Sequence, residues 1–129
     1  MAKVERFEDL EIWKIARDVC NNIWTLIQNT TLQKDYKLRE QINGSSRSVM
    51  GNIAEGFERD GNKEFIYFLS IAKASCGETR SQLYRCFDRK HIDEATFKMI
   101  YDKVILNSKK IKFFMNYLKN SNRKGSKYD

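Results

Sequence analysis

The stretch NKEFIYFLSIAKASCGETRSQLYRC, residues 62–86, decides the fold. Phe65, Leu69, Ala72, Cys76, Thr79, Leu83 and Cys86 follow one another in alternating steps of four and three. Side chains at that spacing share one stripe of an α-helix, whereas a strand would bring every second residue to one face. A repeat sustained over three heptads is the pattern of a helix packing along a seam against other helices. Asp60-Gly61 precedes it, Asn62 is placed to cap the first turn, and Glu64 sits where a negative charge suits the free amides.

The same rhythm runs through the flanking sequence. From about Glu8 to Gln28, Ile12, Ala16, Val19, Ile23 and Leu26 form one stripe, and Trp13, Cys20, Trp24 and Ile27 a second. From about Asp35 to Phe57 the stripe is Leu38, Ile42, Val49, Ile53 and Phe57. Gly44 and Gly51 lie inside this helix, where glycine costs roughly 1 kcal/mol relative to alanine. They imply either a close backbone approach by another helix or a local break, and close packing is the reading preferred. A fourth helix starts near Asp93, whose side chain can cap it, and carries Phe97, Tyr101, Val104, Ser108, Ile111, Met115 and Leu118.

The links Asn29–Lys34, Glu58–Gly61 and Lys90–Ile92 are short, which makes consecutive helices antiparallel neighbours. The expected fold is therefore all-α, an antiparallel up-down-up-down four-helix bundle over residues 1–119, with a basic, disordered tail over 120–129. A length of 129 residues fits one domain, and the complete absence of proline favours long helices. Cys20, Cys76 and Cys86 sit within apolar helical patterns at spacings that match no zinc site, so they read as reduced, buried and inert. The start Met1–Arg6 is charged rather than apolar, and no run approaches a membrane span, so a soluble cytoplasmic protein with no membrane partner is expected.

Enzyme chemistry is poorly supplied. The single histidine, His91, falls in the third turn and reads as a solvated turn residue. A di-iron bundle needs Glu-x-x-His on two helices, which one histidine excludes, and there is no phosphate-binding glycine loop. No catalytic residue, metal, cofactor or small-molecule substrate is expected. Asn52 and Glu55 project from one helix face, and Glu78 lies beside the Cys76/Thr79 seam. An antiparallel pairing would bring Glu78 towards Arg39, Gln41 or Arg47. Glu55 and Glu78 then read either as an acid and base pair or, preferably, with Arg39, Gln41 and Asn52 as a structural polar network that fixes helix register.

Lys and Arg number 24 against 17 Asp and Glu, a net charge of +7 that suits polyanionic partners or simply solubility. The excess concentrates late in the chain, at Lys98, Lys103, Lys109, Lys110, Lys112 and Lys119, then Arg123, Lys124 and Lys127. With Arg47, these are the candidate contacts to the phosphate backbone of RNA or DNA, without readout of bases. Phe113, Phe114 and Tyr117 lie largely off the main stripe and imply a second apolar surface for self-association.

Five motifs occur in order: Phe7-x-x-Leu10-x-x-Trp13, Leu38-Arg39-x-Gln41-Ile42, Asn52-Ile53-Ala54-Glu55-Gly56, Glu64-Phe65-x-x-Phe68-Leu69-x-x-Ala72 and Ser75-x-x-Glu78. Over residues 7–118 the chain thereby resembles the bacterial four-helix bundle family encoded by intervening sequences in 23S rRNA genes, often labelled S23 ribosomal protein. The resemblance implies a ring-like homopentamer with a basic surface and a nucleic-acid partner. The accessory protein of diversity-generating retroelements, a pentameric bundle thought to bind nucleic acid and a reverse transcriptase, is similar to this family at a distance. Two departures are visible. Asn43-Gly44-Ser45-Ser46 stands where the family usually has basic residues, with Arg47 the nearest substitute. Lys90-His91 stands where it usually has Gly-Tyr.

Overall fold

A computed structural model describes residues 4–121 of the 129. Within them are four long helices and no strand: α1 (Glu11–Asn29), α2 (Tyr36–Glu58), α3 (Asn62–Asp88) and α4 (Glu94–Lys119). Short 3-10 turns, Phe7–Asp9 and Thr31–Lys34, precede α1 and α2. α1, α2 and α4 start one to three residues later than the sequence pattern suggests and α3 one residue earlier, at the residue read as its cap, and every stripe residue named for α1's first face, α2 and α3 is buried.

Consecutive helices pack on one another, and α1 also packs on α4. Ser45 meets Thr79, Ser48 meets Ser75, and Gly56 faces Phe65 and Phe68, so α2 and α3 touch along much of their length. Phe65 packs edge-on against Phe114, and Tyr84 lies tilted against Phe97, which ties α3 to α4 at two levels. Lys103 reaches Asp18 and Lys110 reaches Glu11, which ties α4 to α1.

The glycines divide. A Cβ on Gly56 would lie 2.7 Å from the Phe68 Cβ and 2.9 Å from a Phe65 ring carbon, so α3 approaches here as closely as glycine alone permits. Gly44 and Gly51 meet nothing within 4 Å, and α2 runs through both without a break. The close packing expected of them is therefore absent among the described residues.

Local capping also differs from the sequence reading at one end. Asn62 is the first residue of α3, not its cap; its side-chain amide donates instead to the Leu118 carbonyl, 2.9 Å away, and ties α3 to the end of α4. Asp93 caps α4 as expected, accepting from the Thr96 amide at 2.8 Å. α4 buries a wider arc than the stripe predicted, since Ile100, Asn107 and Phe114 are buried beside it. Phe114 is therefore core, not an outward aromatic. The side-chain carbonyl of Asn107 has no hydrogen-bond partner among the described residues.

α3 ends in a Schellman arrangement: the His91 amide donates to Cys86 O and the Lys90 amide to Phe87 O, both at 2.9 Å. Lys90 occupies the left-handed position of this motif at φ 64°, a place glycine usually takes. For a residue with a Cβ that conformation costs about 1–2 kcal/mol.

Candidate functional site

Three surfaces have chemistry: the α2–α3 seam, the outer face of α4, and the end where the first and third links meet. At the seam Ser45 Oγ donates to Gln82 Oε1 at 2.6 Å and lies 2.9 Å from Thr79 Oγ1. Thr79 donates to Ser75 O, and Ser75 Oγ donates to Ser48 Oγ at 2.8 Å. The Asn52 amide completes the run, donating to Ser48 O and Ser48 Oγ at 2.8 and 3.0 Å. Each buried hydroxyl is satisfied, which removes the penalty for burying it.

Of the five residues expected to form the polar network, only Asn52 joins this seam. Glu78 is exposed, because one helical residue turns it about 100° from the buried Thr79. Glu55 is exposed and pairs with Arg59 at 2.9 Å. Gly56 is level with Phe68, so Glu78, ten positions further along α3, lies about 15 Å along the axis from Glu55. The two carboxylates share no site. Gln41 is exposed and accepts from Arg85 at 3.1 Å. Arg39 stacks on Tyr36 and donates to Gln33 O and Glu40. Of the residues that join α2 to α3, Ser45 and Thr79 signal themselves in the sequence as small polar residues in the four-three rhythm, while Ser48 and Ser75 stand one residue off it.

On α4 the expected cations split into two sets. Lys98 pairs with Asp102 at 3.2 Å, Lys103 with Asp18 at 2.7 Å and Lys110 with Glu11 at 3.1 Å. Lys109, Lys112 and Lys119 are exposed and make no ion pair among the described residues. Arg47 is exposed on α2, close enough to α1 to act on the Cys20 thiol. Arg47 stands on α2, whereas the lysines stand on α4, which packs on α1 and α3. Arg123, Lys124 and Lys127 lie outside the described residues.

With Lys103 and Lys110 on one side and Lys98, Lys109 and Lys112 on the other lies an apolar stripe, of which the sequence reading singled out Phe113 but not Met99 or Leu106. Met99, Leu106 and Phe113 recur every seven residues and are 44%, 46% and 73% exposed. Their spacing keeps them on one line of the helix, and the Lys103 and Lys110 ion pairs border it on the α1 side.

The cysteines are all free. Burial pushes the Cys76 and Cys86 thiols up to about 11, and raises half-buried Cys20, which donates to Ser46 O at 3.3 Å. Such thiols hold their protons at neutral pH and are poor nucleophiles.

His91 departs furthest from expectation. Its side chain is 12% exposed, with Nε2 2.9 Å from Asp35 Oδ2 and Nδ1 2.7 Å from Thr31 Oγ1. Arg89 donates to the same Asp35 oxygen at 2.7 Å. The His91 hydrogen bond first, and Arg89 second, hold the Asp35 carboxyl down to about 2. The imidazole thus locks the first link to the third instead of facing solvent.

A family model described as 23S rRNA-intervening sequence protein matches residues 8–112. The chain belongs to the 23S rRNA-intervening sequence protein family. Residues 8–112 of this family's pattern take in all the seam, most of α4 and the linked end, but not Lys119 or the tail. A solved structure from Bacteroides thetaiotaomicron VPI-5482, a protein with unknown function from the S23 ribosomal protein family, is similar at 20% identity. The likeness covers 81% of this chain and 97% of that one with a TM-score of 0.73, which establishes the shared fold. No curated protein matches. Among the described residues no helix is long and apolar enough to cross a membrane.

Proposed function

We propose that this 23S rRNA-intervening sequence family member is a non-enzymatic, cytoplasmic, antiparallel up-down-up-down bundle that assembles with copies of itself and binds nucleic-acid backbones. The observation behind the assembly reading is the exposed Met99, Leu106 and Phe113 line. A seven-residue apolar line on the outside of a helix is the seam of a helix-to-helix contact, and a second copy of this chain is the occupant proposed. The resemblance noted above makes the assembly a homopentameric ring. Assembly would also multiply the basic excess and bring Lys109, Lys112 and Lys119 of several copies round one particle, which supports phosphate binding without base recognition.

Light scattering after gel filtration tests the first half, with a mass of five chains expected. Binding of RNA and DNA across a salt series tests the second. The expected result is affinity that falls steeply with salt and weakens in Lys109→Gln/Lys112→Gln. A pentamer that ignores both nucleic acids at low salt would leave a protein-interaction scaffold, whose charge serves solubility. Capture of a reverse transcriptase by the pentamer would favour the retroelement-accessory role.

A further inference from the structure

The end of the bundle where the first and third links meet holds a recess of about 490 Å³. Its wall is made of Lys34, Lys90, His91, Thr31 and neighbouring amide and hydroxyl side chains, with no carboxylate and no large apolar group. A concave surface with two lysines, amide N–H groups and no carboxylate carries net positive charge and free donors, which is the chemistry of an anion site. We propose that this recess binds a phosphate group.

Two independent features support it. Asp35, the carboxylate that His91 touches, is not on the wall; Arg89 and His91 Nε2 both engage its Oδ2, at 2.7 and 2.9 Å. Its charge is thereby answered from behind the recess, leaving Lys34 and Lys90 to set the sign in front. The imidazole is a positioning residue: held by Asp35 on one nitrogen, it fixes the Thr31 hydroxyl 2.7 Å from the other. The second feature is the backbone of Lys90. The Schellman turn needs a left-handed residue at φ 64°, and a lysine there accepts strain that glycine would avoid. Strain of this kind is retained where the side chain has work at that spot, and here Lys90 lines the recess.

The site goes beyond the α4 reading and survives its failure, since none of its residues lies on that helix. The phosphate can come from free inorganic phosphate or from the end of a nucleic-acid strand. Isothermal titration at fixed ionic strength separates the two, using inorganic phosphate and single-stranded oligonucleotides carrying either a 5′-phosphate or a 5′-hydroxyl. Wild type should bind inorganic phosphate at one site per chain. Lys34→Gln/Lys90→Gln should weaken this about tenfold or more, in keeping with loss of two charge-assisted contacts. Lys90→Gly is the discriminating variant: it relieves the backbone, so its Tm should equal or exceed wild type, while phosphate binding drops about threefold or more. A marked preference for the 5′-phosphorylated strand assigns the site to strand ends, and equal binding of both strands alongside inorganic phosphate binding assigns it to the free anion. Phosphate binding that is unsaturable, or unchanged in both lysine variants, overturns the proposal.

Discussion

The α2–α3 seam and the outer face of α4 break the inside-apolar, outside-polar rule in opposite directions. The seam buries Ser45, Ser46, Ser75 and Thr79, while α4 exposes Met99, Leu106 and Phe113. The seam resolves its own exception: its hydroxyls bond to one another and to carbonyls of their own helices. Nothing within the described chain covers the α4 line. A violation settled by neighbours belongs to the fold, whereas one left open invites another molecule.

The comparison breaks first, and on the largest scale, at α4. Leu106→Asp/Phe113→Asp should reduce the particle seen by light scattering from the assembled mass to a single chain. The helices should still melt with stability within about 0.5 kcal/mol of the unassembled wild type, since both sites are exposed. A variant that stays assembled would remove this face from the contact.

At the seam the effects are energetic. Gly56→Ala should cost about 1–3 kcal/mol in urea denaturation, because the new methyl must push back Phe68 and Phe65. Gly51→Ala, with open space around it, should stabilise the isolated chain by about 0.5–1 kcal/mol. Equal effects at the two glycines would show that the α2–α3 approach is looser than described. Ser45→Ala should cost about 1–2 kcal/mol, by leaving Gln82 and Thr79 each short of a partner. Asn107→Leu on the buried side of α4 should move stability the other way, up by about 1 kcal/mol, since it removes a carbonyl without a partner.

The smallest effect belongs to the linked end, through Asp35. A carboxyl whose folded pKa is lowered contributes stability above its unfolded pKa and loses it as pH falls through the folded value. With Asp35 held at about 2, acid titration of wild type should show a decline from the ordinary carboxylate range down to that pH. Asp35→Asn should be less stable at neutral pH and should lack that part of the decline. Coincident acid limbs in chemical denaturation would mean the His91 and Arg89 contacts contribute nothing to folding.

Much of the architecture was legible because helical periodicity is local. The Phe65 to Cys86 stripe, the α2 stripe and the Asp93 cap depend on residues within a turn or two of each other. Asn62 misled for the converse reason: its partner, the Leu118 carbonyl, is 56 residues away. Glu78 misled because adjacency to a seam in sequence is a 100° rotation in space. On α4 the main stripe hid Ile100, Asn107 and Phe114 inside and drew attention to Phe113 and Phe114 as a pair, when a 100° step puts one out and the other in.

The sequence by itself determined that this chain makes four helices, where they begin and end to within a few residues, and which stripes form the core. Those follow from the spacing of apolar side chains and the absence of proline. Only the tertiary structure decided which glycine is pressed against a neighbour, which lysines are already paired, and that Thr31, Asp35 and His91 meet. Each of these depends on how two helices are rotated and slid against each other, and spacing along one chain does not encode that relation.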